Sequence, residues 1–130
     1  MILDTNALSA VADNEPAAVR IFSQAASIEL PVIALGEYRF GIAQSRRRGE
    51  YEKWLGELIA ATRVLAVDQE TSRHYAEMRA ELKKAGHPVP SNDLWIASLA
   101  RQHRLSLMSQ DRHFDAVRDL QRVGWQGVSG

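Results

Sequence analysis

At 130 residues, with 45% hydrophobic and 25% charged side chains, the chain has ordinary globular composition, which excludes a disordered or low-complexity protein and fits one domain over residues 1–130. Its 16 basic and 16 acidic side chains cancel, so no overall field draws it to nucleic acid or anionic lipid, and any polyanion must be held locally. The absence of cysteine excludes disulfides, thiolate zinc sites and cysteine nucleophiles; no apolar run is long enough to cross a bilayer, and Met1-Ile2-Leu3-Asp4 lacks the flanks of a signal peptide, so a cytoplasmic protein is expected.

In chain order, Met1–Leu3 reads as a short buried strand, ended by the cap chemistry of Asp4-Thr5-Asn6 before a helix over Ala7–Ala12. A second helix is expected from Pro16 to about Ala26, with Ala18, Ile21, Phe22 and Ala25 on one face, and a strand follows around Ile28–Ile33. From Ala34 to about Ser45 a helix places Leu35, Tyr38 and Ile42 on one stripe and Glu37 with Gly41 on another. Gly41 is read as a site of helix packing.

After the basic turn Arg46-Arg47-Arg48-Gly49, the spacing of Tyr51, Trp54, Leu55, Leu58 and Ile59 marks an amphipathic helix, and Arg63–Val67 a third strand. Asp68 is suited to cap a long helix facing Thr71, Tyr75, Met78 and Leu82 inward, which Gly86 and Pro88 stop. Ser91 or Asn92 is expected to cap the next helix, leaving Asp93 in its first turn, where the helix dipole favours a carboxylate. Leu105–Met108 makes a fourth strand, Ser109–Asp111 repeats the strand-end chemistry of the first segment, a short helix runs through Val117, and an edge strand is expected near Leu120–Val123.

Alternation of strand and helix implies an α/β fold with a central, mostly parallel sheet of four to five strands flanked by helices on both faces. Ligands of such sheets bind at the carboxyl ends of strands near a switch in strand order, and both Asp4 and Asp111 belong at such ends.

Four carboxylates, Asp4, Glu37, Asp93 and Asp111, thus lie at element boundaries inside short cassettes: Ile2-Leu3-Asp4-Thr5-Asn6, Glu37-Tyr38-Arg39-Phe40-Gly41, Ser91-Asn92-Asp93-Leu94-Trp95-Ile96-Ala97 and Ser109-Gln110-Asp111-Arg112-His113-Phe114. One at a time, Asp4, Asp93 and Asp111 are adequately explained as helix caps or first-turn acids, and Glu37 as a surface acid paired with arginine. Packed together they would repel, their pKa values rising until some were protonated or a cation relieved them. Oxygen ligands of this kind suit Mg²⁺ or Mn²⁺.

In order and spacing the cassettes resemble those of the PIN-domain nucleases, in particular the small VapC-type ribonuclease toxins of prokaryotic type II toxin–antitoxin pairs, over Met1 to Val123. The resemblance implies a PIN-like fold and a Mg²⁺-dependent endoribonuclease, with Mn²⁺ able to substitute, whose site residues are Asp4, Glu37, Asp93, Asp111 and Ser109. It also implies a homodimer, a heterotetramer or larger assembly with a VapB-type antitoxin, and an RNA substrate such as a transfer RNA or a ribosomal RNA loop. Water is then the nucleophile. The family hydroxyl before the fourth acid is usually threonine, and Ser109 keeps the hydroxyl without the methyl.

Asp115, one helical turn after Asp111, is expected either to serve as an auxiliary metal ligand or to be solvated. Arg46-Arg47-Arg48 reads first as a solvated turn and second as a grip on RNA phosphates. His113 is a candidate phosphate donor; His74, His87 and His103 lack ligand-like grouping, so zinc is not expected. Tyr51 and Trp54 fit a core or a dimer interface, Trp95 packs or stacks a base, Asn6 is structural, Asn92 is a cap or pre-cap residue, and Trp125 has no assigned role. Two rival functions remain at this level: a non-catalytic PIN-fold binding module, and a magnesium phosphohydrolase of haloacid-dehalogenase type, which would need an acid where Asn6 stands.

Overall fold

Very short apolar runs supply the sheet, and their alternation decides which face each residue feeds. The computed structural model describes residues 1–126; the last four residues of the expected domain lie outside the described residues. The strands are β1 (Ile2–Leu3), β2 (Glu29–Pro31), β3 (Arg63–Leu65), β4 (Leu107–Met108) and β5 (Arg122–Val123), all parallel and arranged β3-β2-β1-β4-β5. The helices among the described residues are α1 (Thr5–Ala12), α2 (Pro16–Gln24), α3 (Val32–Ile42), α4 (Arg48–Ala61), α5 (Gln69–Ala85) and α6 (Ser91–His103), with a 3-10 turn over Arg112–Ala116.

Because successive strand residues point to opposite faces, β1 sends Leu3 into one apolar layer and Ile2 into the other, and β4 does the same with Met108 and Leu107. The first layer joins α1 and α2 to Leu35, Tyr38 and Ile42 of α3 and Leu55 and Leu58 of α4; the second joins Met78 and Leu82 of α5 to α6 and to Phe114 and Val117. Helices therefore cover both faces, which is why the strands carry few polar residues. Trp125, given no role by sequence, is buried in the first layer, and its backbone N–H donates to Gln110 Oε1 at 2.7 Å.

Several boundaries differ from expectation for local reasons. The second strand ends at Pro31, which has no N–H to continue the ladder, so Val32 and Ile33 begin α3 although they read as strand. Strands expected at Arg63–Val67, Leu105–Met108 and Leu120–Val123 pair over only two or three residues each. The second helix stops at Gln24. Gly41 is exposed with no atom within 4 Å of where a Cβ would stand, so the helix packing expected there is absent among the described residues. Asp68 caps α5 as expected, and Gly86 ends it in the left-handed region at φ 74°.

Strand order places β1 centrally, with β2 and β3 on one side and β4 and β5 on the other. The chain reverses its direction of growth between β1 and β4, so the crevice beyond their carboxyl ends is the switch point of the sheet. Asp4 follows β1 and Ser109 follows β4, their strands joined in register Ile2 to Leu107 and Leu3 to Met108.

Candidate metal centre

Each of the four acids reaches the switch point from a different element. Asp4 caps α1, its carboxylate accepting the Ala7 N–H at 2.8 Å, yet only 2% of the residue is exposed. Burial drives its pKa up to about 6; hydrogen bonds from the Ser109 hydroxyl and the Ala7 N–H pull the other way, and the charges of Asp111 and Asp93 add to the rise. Asp93, in the first turn of α6, is also raised, chiefly by burial, with His113 opposing and Asp111 and Glu37 reinforcing. These acids are close enough to oppose one another's ionisation.

Glu37 reaches the same place from α3 and is held at both oxygens: the Thr5 hydroxyl donates to Oε1 at 2.6 Å and the Asn92 amide to Oε2 at 3.3 Å. Asn92 is therefore not the cap it was expected to be. The helix starts after Pro90 with no side-chain cap, which frees the Asn92 side chain to reach across to α3. Thr5, just past the end of β1, thus hydrogen-bonds across to α3, while Asn6 is exposed.

Asp111 precedes the 3-10 turn and makes no capping bond, leaving its carboxylate available. Its N–H donates to Ser109 Oγ at 3.0 Å, so one fully buried hydroxyl ties the fourth cassette to Asp4 of the first. Ligand atoms of Asp93, Asp111 and His113 all lie within 4.8 Å of one another. His113 Nε2 stands 3.1 Å from Asp93 Oδ2, though its N–H is not aligned for a hydrogen bond, and its ring packs edge-on against Phe114.

Asp115 does not join the cluster. Arg122 grips it with Nε at 2.8 Å and Nη2 at 3.1 Å, while Nη1 of the same guanidinium donates to the Ser109 carbonyl at 3.1 Å. The reason is the turn type: three residues per turn in a 3-10 helix rotate the fourth residue away from Asp111, where an α-helix would have stacked it above. His113, weighed by sequence only as a phosphate donor, is the member that spacing alone did not connect to Asp93, because the two lie on different elements.

An open groove of about 570 Å³ borders the acids at Thr5, Glu37 and Asn92, and Phe40 stands on its wall 85% exposed. Trp95 is stacked on Tyr75 with centroids 3.9 Å apart and so serves packing. Arg47 pairs with Glu50 and lies over the Tyr51 ring, consistent with a solvated turn.

The site can be set beside known proteins. The PIN domain family matches residues 1–120. The chain is 35% identical over 121 residues to the VapC ribonuclease Y4jK of Sinorhizobium fredii, covering 85% of this chain and 86% of that one, and 32% identical over 94 residues to Ribonuclease VapC4 of Mycobacterium tuberculosis, covering 71% and 72%. Among solved structures, VapBC2 from Rickettsia felis, bound to a DNA fragment from its promoter, superposes with a TM-score of 0.86 at 22% identity over 96% of this chain and 98% of that one, a likeness of fold. DNA-bound VapBC from Salmonella typhimurium superposes at 0.83 with 25% identity over 95% and 96%. With the PIN model spanning the acids and the ribonuclease relatives aligned over most of both chains, the chain belongs to the PIN-domain family, in its VapC-type branch.

Proposed function

We propose that this chain is the endoribonuclease toxin of a type II toxin–antitoxin pair: a single PIN domain of the cytoplasm that hydrolyses RNA phosphodiester bonds with Mg²⁺, for which Mn²⁺ substitutes, acts as a homodimer and is restrained by a VapB-type antitoxin in a heterotetramer or larger assembly. The observation that supports this reading is the grouping of Asp93 and Asp111 with His113, with the charges of these two acids acting on Asp4 and that of Glu37 acting on Asp93, each acid coming from a separate segment.

The donor set fits a hard divalent cation. It consists of carboxylate oxygens beside one hydroxyl, with the His113 nitrogen next to them, and the raised pKa values of Asp4 and Asp93 express chiefly the cost of burying their charge, to which mutual repulsion adds; a cation relieves both. Asp4, Glu37, Asp93 and Asp111 would hold the ion. The chemistry it supplies when bound is acidification of a water and neutralisation of charge on the scissile phosphate. The chain's own residues set the stage: Ser109 fixes Asp4 and the backbone of Asp111, Thr5 and Asn92 keep the Glu37 carboxylate from swinging, and His113 presents a nitrogen donor at the rim, where a phosphate would otherwise meet only carboxylates. Asp115 is assigned to Arg122 rather than to the metal.

The test is cleavage of a mixed RNA panel by the purified protein in Mg²⁺, Mn²⁺ or EDTA, beside Asp4→Asn and Asp93→Asn. Cutting that needs the metal and is lost in both variants supports the nuclease. Full activity in Asp4→Asn would remove the site assignment, and metal binding by calorimetry without any cutting would favour the non-catalytic binding module.

A further inference from the structure

A chain with no net charge must hold a polyanion locally, so the cations that matter are those lining a cavity beside the acids. Arg39, Arg47, Arg73, Arg101 and Arg122 each lie within ion-pair distance of a carboxylate. Of the cations in no ion pair among the described residues, which also include Arg46, Arg48, Lys53, Lys84 and Arg118, it is Arg79, Lys83 and Arg112 that border two adjoining cavities next to the acid cluster. The first, of about 380 Å³, lies between the end of α5 and the Gly86–Pro90 loop, with Arg79, Lys83 and His87 on its wall. The second, of about 410 Å³, is lined by Arg112 and His113 and shares His87 and Pro88 with the first. The path thus ends at His113, which faces Asp93 in the acid cluster.

We propose that this pair of cavities is the track along which a single RNA strand leaves the acid cluster, its phosphates contacted in turn by Arg112, His87, Lys83 and Arg79. The inference rests on the nuclease reading above and names the surface that binds its substrate. The one carboxylate among the residues lining the two cavities, Asp115, is neutralised by Arg122. Arg79 is held ready: its guanidinium donates to the Tyr75 hydroxyl at 2.7 Å and lies 5.9 Å from that ring's centroid, and Tyr75 is stacked on Trp95. Lys83 also suits the C-terminal end of its helix through the dipole, but that does not bring Arg112 of another element to the same path. Local cations along such a path supply the affinity for a phosphate backbone that a neutral chain otherwise lacks.

The experiment measures binding of a fluorescein-labelled, random-sequence single-stranded RNA by anisotropy, in EDTA to prevent cleavage, over a range of salt. The proteins are the full chain, Arg79→Ala/Lys83→Ala/Arg112→Ala, the charge-keeping Arg79→Lys/Arg112→Lys, and Arg46→Ala/Arg48→Ala as a control on a basic turn elsewhere. Each lost single-strand phosphate contact flattens the slope of log affinity against log salt by about 0.7, so the triple variant should weaken binding on the order of 10-fold or more and flatten the slope by about 2. The charge-keeping variant should retain most of the affinity, the control all of it, and melting temperatures should stay together. Cleavage by the triple variant should show a raised KM with kcat retained.

Wild-type affinity and slope in the triple variant would overturn the track, while metal-dependent cutting lost in Asp4→Asn would leave the nuclease standing. A wild-type protein that neither binds nor cuts RNA would overturn both. Unchanged RNA binding with loss of a co-purified antitoxin would overturn the track and give the surface to a protein partner.

Discussion

Asp4 and Asp68 begin with the same local task and end with opposite chemistry. Each follows a strand, has extended backbone and accepts the N–H of the residue three positions on, Ala7 for Asp4 and Thr71 for Asp68. Asp68 is exposed, and hydrogen bonds from the Thr71 N–H and hydroxyl and from Gln102 hold its carboxyl below the usual range. Asp4 is buried with Asp93 and Asp111 as neighbours, and its pKa rises to about 6. The same capping role thus carries a raised carboxyl pKa where the fold buries the residue beside other acids, and a lowered one where the fold leaves it in water.

The comparison breaks most sharply in activity. Asp4→Asn keeps an oxygen able to cap α1 but removes the charge, so RNA cleavage should fall below about 1% of wild type. Asp68→Asn should cut at the wild-type rate, and a loss there as large as at Asp4 would erase the distinction.

Stability against pH separates the two next. In metal-free protein the Asp4 carboxyl of the unfolded chain loses its proton near 3.8, while the folded one holds it to about 6. Within that window the folded state binds more protons, so stability falls as pH rises from about 4 to 6 and then levels, a change on the order of 3 kcal/mol. Denaturation midpoints in EDTA should show this fall in the wild type and lose it in Asp4→Asn, which should be the more stable protein at pH 7. Asp68, with a lowered pKa, contributes in the opposite sense: its stabilisation is present above the ordinary carboxyl range and disappears as pH drops through its folded value.

Magnesium should raise the melting temperature because it binds the folded acids, by an amount equivalent to about 2.7 kcal/mol at a hundredfold excess over Kd. Differential scanning fluorimetry should find that rise in wild type and in Asp68→Asn but not in Asp93→Asn. A smaller effect tests the clamp on Glu37: Asn92→Ala removes one of its two hydrogen bonds and should weaken Mg²⁺ binding by calorimetry about 10-fold, with the fold intact. The smallest is Asp68→Ala, which should lower the melting temperature by a few degrees without changing metal affinity.

Much of this fold is legible in the amino-acid sequence. Strand and helix alternation led to the parallel sheet, because hydrophobic period and cap residues are local signals. Ser109 at a strand end and Asp68 as a cap were read from their immediate neighbours alone. The sequence misleads where a residue's partner is distant: Asn92 reads as a cap because its Glu37 partner lies 55 residues away, and Trp125 has no evident role because most of the apolar layer it joins comes from the first half of the chain. That Asp115 turns to Arg122 depends on a turn type, and a 3-10 helix and an α-helix of five residues share the same composition.

The sequence by itself determined the elements, the four acid cassettes and their order, and through these the resemblance to a PIN nuclease, since each depends on residues within a few positions of one another. Only the tertiary structure decided which acids share a site, that His113 stands against Asp93 while Asp115 turns to Arg122, and that Arg79, Lys83 and Arg112 line one path. Those outcomes follow from strand order and helix packing, which set the distances between side chains far apart in sequence and so set burial, repulsion and pKa.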